Sequence, residues 1–452
     1  LRVPFPKGTI GSEDLPRTRR KLQNCFHTGE DRILARPGIN SIATVGDVAR
    51  GNFEWNGSVY AVYSDELRKF SDPDTGAFTV IAGTITGFEP IKTAIGFNEA
   101  VIIVNGGDVF TLDKSDVLTN IIGNANFVPC VDVAHINGRF VYIPADGSPA
   151  FFSDVGAAGT VQALSFFDAE QLPDKNNAVW TLNNDLYIAG TDSIQIFQDV
   201  GTTPVPYVGV RGRIQNGFIG GKIEYNNTVL FIGREELQDF GIYGITGGVA
   251  PKISNEFIDT ILRTYTIDEM AEAKTGRFKW FGFDIATFTL ERDSFGFFAG
   301  NWFILDTVVD GNSLPWKADY IVEFDGKYYV AEDDKWGRLD KSNTDFGERV
   351  TYIIEMGFEQ ENDDTINCQS IELGISQGFN TTDGSVSLEV TADNVLYGPP
   401  VFRNTADLGQ YSNKLVWNFP GGCGAFPGFM GVRLSSRENI NFSADHVVFN
   451  LQ

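Results

Sequence analysis

Residues Phe53 to Phe70, FEWNGSVYAVYSDELRKF, carry a pattern that recurs along most of the chain. A turn dipeptide, Asn56-Gly57, precedes an apolar run in which Val59, Tyr60, Val62 and Tyr63 favour strand. Asn and Gly tolerate positive φ at both turn positions, so the stretch reads as a hairpin. Another strand follows through Leu67 and Phe70. The plan returns in NEAVIIV at Asn98, NGRFVYI at Asn137, NNDLYIAG at Asn183, NNTVLFIG at Asn226 and DGKYYVAE at Asp325. The first five copies lie 42, 39, 46 and 43 residues apart. Most are followed by a strand with an aromatic, as in GGDVFTLD at Gly106, DSIQIFQD at Asp192 and WGRLD at Trp336.

A period of about 40–45 residues with about four strands per unit predicts a β-propeller. A lone four-stranded sheet cannot cover both faces, whereas radial packing covers each against a neighbour. The 99 residues between Asn226 and Asp325 hold two periods plus an insertion. Phe281 to Asp306 fills the missing unit without an Asn-Gly turn. The count is seven blades, or six if one copy belongs to a neighbouring element.

The insertion, 254–273, is helical in pattern. Asn255 is placed to cap a first helix, in which Phe257, Ile258, Ile261, Leu262 and Tyr265 recur at helical spacing. Thr266-Ile267-Asp268-Glu269 is a capping box with Thr266 at the N-cap and Glu269 at N3. Two short helices meeting near Tyr265-Thr266 are expected. From Arg349 the rhythm changes to VTYIIEMGF, SIELGIS, SVSLEVTA, KLVWNF, GVRLSS and HVVFNL. Six or more strands in about 100 residues suit an antiparallel β-sandwich. Residues 1–50 are punctuated by Pro4, Pro6, Pro16 and Pro37 and read as an extended arm, with Ile39 to Thr44 as one strand. The expected organisation is therefore all-β: an N-terminal arm (1–50), a propeller with helical insertion (51–345) and a C-terminal sandwich (346–452).

Composition agrees, with 49 Gly and 37 Phe against 3 Met. Net charge is −24. Residues 1–50 carry nine Lys/Arg against five Asp/Glu, and the basic cluster Arg17, Arg19, Arg20, Lys21 stands out. So acidic a body repels DNA phosphate, and a basic arm suits an acidic protein neighbour. Cys25, Cys130, Cys368 and Cys423 lie far apart with no CxxC pair, so neither a zinc site nor a disulfide framework is expected. No apolar run is long enough for a transmembrane helix.

Catalytic signals are weak. His27, His135 and His446 fall in three separate regions, and no GxSxG occurs. Adjacent acids such as Asp333-Asp334 point to opposite faces of a strand and make no converging dyad. Asp72-Pro73-Asp74-Thr75-Gly76 opens like a calcium loop but lacks the later ligands, so it reads as a turn. The rival from another class is a carbohydrate-binding or glycoside-hydrolase propeller. In that reading Trp55, Trp180, Trp280 and Trp336 would stack on sugars, although core packing is the commoner use of Trp. A protein-binding repeat scaffold is a third reading.

One resemblance goes further. Leu262 to Ala271, LRTYTIDEMA, resembles the I-R-S-Y-T-x-E-E-M-A stretch of the packaged-DNA stabilisation proteins of short-tailed bacteriophages, also called tail accessory factors, tail hubs or nozzles. Upstream, Gly247 to Ser254 is similar to the family's Gly-rich, Pro-Ile segment, and downstream Trp302 to Leu305 is similar to a Trp-containing strand. Arg36-Pro37-Gly38-Ile39 resembles the P-G-I near the family's N-terminus. Thr391 to Gly398 resembles T-x-D-G-x-x-Y-G, with Asn394 where the family has Gly, and Lys414 to Trp417 and Gly431 to Leu434 follow in order. The resemblance implies a non-enzymatic virion tail protein without cofactors. Six copies would form a ring below the portal and its adaptor, extend the tail channel, retain packaged double-stranded DNA and conduct it at ejection. Tailspikes or tail fibres and a tail needle or plug would be neighbours. On this reading Arg17, Arg19, Arg20 and Lys21 are expected to meet the adaptor. The helices carrying Tyr265, Thr266, Glu269 and Met270 are expected at a subunit or adaptor interface.

Overall fold

In the computed structural model, the described residues are 1–451 except 12–15, 31, 168–173, 236–239, 361–364, 377–383, 406–408, 410–413, 421 and 437–442. The hairpin around Asn56-Gly57 forms as expected, with φ of 49° and 69° at its two turn residues. It belongs to a four-stranded antiparallel sheet, Ala49–Trp55, Ser58–Tyr63, Glu66–Asp72 and Ala77–Ile81. Among the described residues seven sheets share this meandering plan. The later six begin at Ile91, Cys130, Asn176, Asn216, Lys274 and Tyr320. Their first strands neighbour one another in cyclic order, the last returning to the first.

The second strands are apolar at nearly every position rather than alternating, and radial packing explains this. Tyr60 and Val62 face the second sheet, packing with Ala100 and Ile102. Val59, Ala61 and Tyr63 face the seventh, packing with Tyr329, Ala331 and Trp336. Both faces of each strand are thus dry, as in a buried parallel sheet. Each sheet shares an apolar layer with the next. The sixth sheet uses Phe281-Gly282 as its hairpin turn, with Phe281 at φ 49°. A bulky residue in the left-handed region is unusual, which is why no Asn-Gly signal marked this unit.

Two contacts close the ring. Strand Gly38–Thr44 supplies the outer strand of the seventh sheet, antiparallel to Lys335–Asp340 with Trp336 opposite Ala43. The Asp72 to Gly76 turn of the first sheet then reaches across to the seventh. Trp336 Nε1 donates to Pro73 O at 2.9 Å. Asp74 accepts from Tyr329 Oη at 2.9 Å, from Arg338 Nη1 at 2.7 Å and from Lys327. The Lys327 hydrogen bond, helped by those from Tyr329 and Arg338, lowers the Asp74 pKa to about 2.

The N-terminal residues differ from the expected arm. Arg2–Val3, Lys21–Gln23, Cys25–His27 and Ile33–Ala35 are strands, as is Gly38–Thr44. Lys21–Gln23 lies between Asn301–Val309 of the sixth sheet and Tyr352–Glu359 of the C-terminal region, making one continuous sheet. Cys25–His27 and Ile33–Ala35 extend the opposite sheet, on Ser443–Leu451. Cys25–His27 pairs locally with Ile33–Ala35, but Arg2–Val3, Lys21–Gln23 and Ile33–Ala35 each pair with residues hundreds of positions away, so little local pattern announces them. The C-terminal strands form two antiparallel layers. Ile354, Val432 and Leu434 pack with Ile371, Leu373, Val447 and Phe449 in one core.

A buried polar knot holds propeller, sandwich and N-terminal segment together. Arg36 and Asp345 are a fully buried ion pair at 2.6 Å, each side chain 0% exposed. The Arg36 guanidinium also donates to Asn24 Oδ1 (2.8 Å), Pro37 O (2.8 Å) and Asp306 O (2.7 Å), and lies 4.8 Å from the Trp316 ring centre. Asp345 accepts a further bond from Thr307 Oγ1 at 2.7 Å. Gly38 follows because a Cβ there would sit 2.4 Å from Ser342 O.

Two predictions follow from these contacts. Arg36→Ala leaves the Asp345 carboxylate buried without its partner and should cost about 3–5 kcal/mol in denaturant unfolding. Arg36→Lys should recover only part of that, because an ammonium cannot reproduce the planar fork. The Asp74 clamp stabilises through a depressed folded-state pKa. Its contribution is complete above the unfolded value of about 4 and is lost as pH falls through about 2. Asp74 is 38% exposed, so solvent screens the pair, and Asp74→Asn should cost about 1 kcal/mol or less at neutral pH. Thermal melts between pH 2 and 7 should show the wild-type advantage shrinking with acid.

Candidate functional site: the axial cavity and the helical insertion

The insertion forms the two helices expected, α1 (Glu256–Leu262) and α2 (Ile267–Ala271). Asn255 Oδ1 accepts from Ile258 N at 3.1 Å, while its Nδ2 donates to Thr9 O at 2.7 Å. The capping box is complete: Glu269 N donates to Thr266 Oγ1 at 3.2 Å, and Thr266 N donates to Glu269 Oε2 at 2.6 Å. That backbone bond is the main cause of a lowered Glu269 pKa.

The motif residues act chiefly as a lock. Tyr265 is buried; its hydroxyl donates to Asp293 Oδ2 at 2.8 Å and accepts from Arg292 N at 3.0 Å. Arg292 stacks 4.2 Å from the Tyr265 ring centre and pairs with Glu269 at 3.0 Å. Met270 is buried with Ile258 and Leu262 between the fifth and sixth sheets. Tyr265 and Met270 are therefore core residues, and Thr266 and the partly exposed Glu269 are the ones near the surface.

Helix α2 lies directly on the first strand of the fifth sheet, Asn216–Tyr225. A Cβ on Gly220 would approach Met270 O to 2.4 Å and Ala271 Cα to 2.7 Å, so only glycine allows this contact. Beside it opens a cavity of about 590 Å³, lined by first strands of the second to seventh sheets and by α2. It lies on the propeller axis.

Several charges around this cavity are paired within the chain. Asp132 accepts from Val179 N at 2.8 Å and pairs with Lys222, whose Nζ also donates to Val179 O at 2.6 Å. That triangle ties the third, fourth and fifth sheets. Burial lowers the Lys222 pKa, opposed by Asp132. Lys274 pairs with Asp319 and lies 5.3 Å from the Tyr320 ring centre. Nearby, burial and then the Asp319 charge raise the Glu332 pKa to about 8. Glu332 and Asp319 are in hydrogen-bonding contact. A glycosidase pair stands roughly 5 Å or more apart to admit a sugar. The Glu332 and Asp319 carboxyls are in direct contact instead. Nothing local flagged these partners: Lys222 and Asp132 are 90 positions apart.

Trp55, Trp180 and Trp336 are 3%, 6% and 0% exposed, so these three rings pack in the core and are not offered to a sugar. Trp336 stacks on Phe70 at 4.0 Å, and Trp280 donates to Ala35 O at 3.0 Å. Among the described residues no group of three or more His, Cys, Asp or Glu could hold a metal, and no helix is long and apolar enough to cross a membrane. The basic cluster is drawn onto the sandwich. Arg20 Nη2 donates to Gly357 O at 2.8 Å, and Lys21 is mostly buried near Glu355, burial lowering its pKa. Arg17 is exposed, with its guanidinium 5.8 Å from the Phe429 ring centre. Asn394 Nδ2 donates to Pro16 O at 2.9 Å and Arg19 O at 2.8 Å, so the Thr391 to Gly398 turn also clasps this segment.

Comparisons with known proteins converge on one family. The family described as "Bacteriophage P22 Gp10, beta-propeller" matches residues 16–344. The tail hub protein gp10 of Salmonella phage P22 is 22% identical over 439 residues, covering 90% of this chain and 89% of that protein. Among solved structures, virginiamycin B lyase of Staphylococcus aureus is 11% identical with a TM-score of 0.44, over 66% of this chain and 97% of the lyase. PorZ of Porphyromonas gingivalis is 11% identical with a TM-score of 0.40, over 74% of this chain and 44% of PorZ. Likenesses this distant carry no functional argument.

The buried acid pair gives a pH signature. The folded-state pKa of Glu332 stands at about 8, above the ordinary value of about 4.3, so the folded chain holds a proton that the unfolded chain has lost. Stability from this group is full below about pH 4 and declines as pH rises towards about 8. Glu332→Gln, which cannot ionise, should be more stable than wild type at pH 8 and flatten the decline, as read by denaturant midpoints from pH 5 to 9.

Proposed function

As a member of the bacteriophage P22 Gp10 β-propeller family, the chain is a structural protein of the phage tail, and we propose that it acts as a hub in a hexameric ring. The family match over 16–344, with the tail hub likeness across 90% of the chain, carries this reading. In the proposed assembly the ring sits below the portal and adaptor and extends the tail channel. It retains packaged DNA and conducts it during ejection, with tailspikes or fibres and a needle or plug as neighbours.

Physical features favour that role. Radially packed sheets tied by the Asp74 clamp and the Asp132–Lys222 triangle make a stiff block, which suits a load-bearing ring. A surface of net charge −24 repels phosphate and does not hold DNA in transit. The adaptor contact is assigned to the Arg17 and Arg19 end of the basic cluster, because Arg20 and Lys21 are engaged within the chain. The second contact is assigned to the outward side of α2 around Thr266 and Glu269, with Tyr265 and Met270 supporting it from beneath.

Two measurements test this. Purified chain incubated with the portal–adaptor complex should appear by mass photometry and negative-stain imaging as a collar of six 49.7 kDa copies. A solitary chain under all conditions would overturn the ring. Arg17→Ser with Arg19→Ser should weaken docking roughly three- to tenfold at physiological salt. Unchanged docking would remove these residues from the contact.

A further inference from the structure

Wide spacing gave no reason to pair the cysteines, yet the fold brings two of them together. Cys368 lies in the strand Thr365–Ile375. The neighbouring chain pairs with that strand at Ser370↔Asn418, leaves it, and rejoins at Asn367↔Ala425. Cys423 stands where it returns: its N–H donates to Cys368 O at 2.9 Å. The two thiols are in hydrogen-bonding contact. The bond from Cys423 N–H to Cys368 O and the contact between the thiols place the two side chains on adjoining backbone segments, the arrangement a disulfide needs. Both cysteines are free in this structure, Cys368 buried and Cys423 half-buried.

We propose that Cys368 and Cys423 are a redox dithiol that a peroxide oxidises to an intramolecular disulfide. Cys423 is the attacking thiol. It is the more accessible, and the hydrogen bond from Cys368 lowers its pKa, while that bond and burial raise the pKa of Cys368. Cys423 thiolate attacks one peroxide oxygen and the O–O bond breaks. The departing hydroxide takes a proton to become water, leaving Cys423 as a sulfenic acid. Cys368 then attacks the Cys423 sulfur, the S–S bond forms and the S–O bond breaks. The Cys368 proton leaves with that oxygen as a second water. Two thiols lose two electrons and one peroxide is reduced to two waters.

The other cysteines differ. Cys25 is buried, which pushes its thiol up to about 12, and burial likewise raises Cys130. A tail protein is made in a reducing cell interior and later leaves it, so a dithiol at this position would be oxidised only after release. The bond would staple the returning segment to the strand Thr365–Ile375.

The test uses the full chain, purified with reductant, desalted and treated with hydrogen peroxide. Intact mass should fall by two hydrogens, and peptide mapping without reductant should recover a Cys368–Cys423 cross-link. The melting temperature should rise on oxidation and return with dithiothreitol. Cys368→Ser should instead accumulate a dimedone-reactive sulfenic acid at Cys423. The proposal is overturned if folded wild type keeps both thiols alkylatable after peroxide. It is also overturned if Cys423 proceeds to sulfinic acid without a cross-link, or if a different cysteine pair is recovered. Mapping of wild type decides the matter even if the variant does not fold.

Discussion

The Arg36–Asp345 pair is the joint on which the molecule depends. All five N–H donors of the guanidinium are used, on Asn24, Pro37, Asp306 and both Asp345 oxygens. The acceptors belong to the N-terminal segment, the sixth sheet and the stretch leading into the sandwich. Asn24 extends the joint by donating to Thr351 O at 2.8 Å. Such a pair adds little net stability over a well-packed apolar replacement. Its value is positional. Only one arrangement of these parts satisfies every donor, so relative placement is specified by hydrogen-bond geometry where apolar packing alone would tolerate sliding.

The repeating sheets were legible because their cause is local. Asn56-Gly57, Asn137-Gly138 and Asp325-Gly326 need positive φ, and the apolar runs after them must be dry on both faces. The capping box at Thr266 and Glu269 was legible for the same reason. The N-terminal strands were not. Lys21–Gln23 owes its conformation to Ile304 and Ile353 to Glu355, residues far along the chain. The Phe281-Gly282 turn escaped because its first residue contradicts the usual preference and is held by neighbours, with Trp280 4.9 Å away and Lys341 over its ring.

The axial region shows the same division between residue type and placement. Tyr265, Thr266, Glu269 and Met270 were singled out from the sequence, and the fold does bring them together. Their packing around Arg292 and Asp293 is what places α2 against Gly220. The acids and lysines that border the cavity were present in the sequence as ordinary surface composition. Only the folded ring pairs Asp132 with Lys222 and Asp319 with Lys274.

The shared strand Gly38–Thr44 has a consequence for biogenesis. Its hydrogen-bonding partner Lys335–Asp340 emerges from the ribosome some 300 residues after it. Until then the growing chain presents an open edge at each end of the incomplete circle, and edges of that kind invite pairing with other chains. Closure is a late, long-range event that resets the whole barrel-like circuit at once. Truncated translation products should therefore be sticky, and only the finished polypeptide is released as a sealed unit.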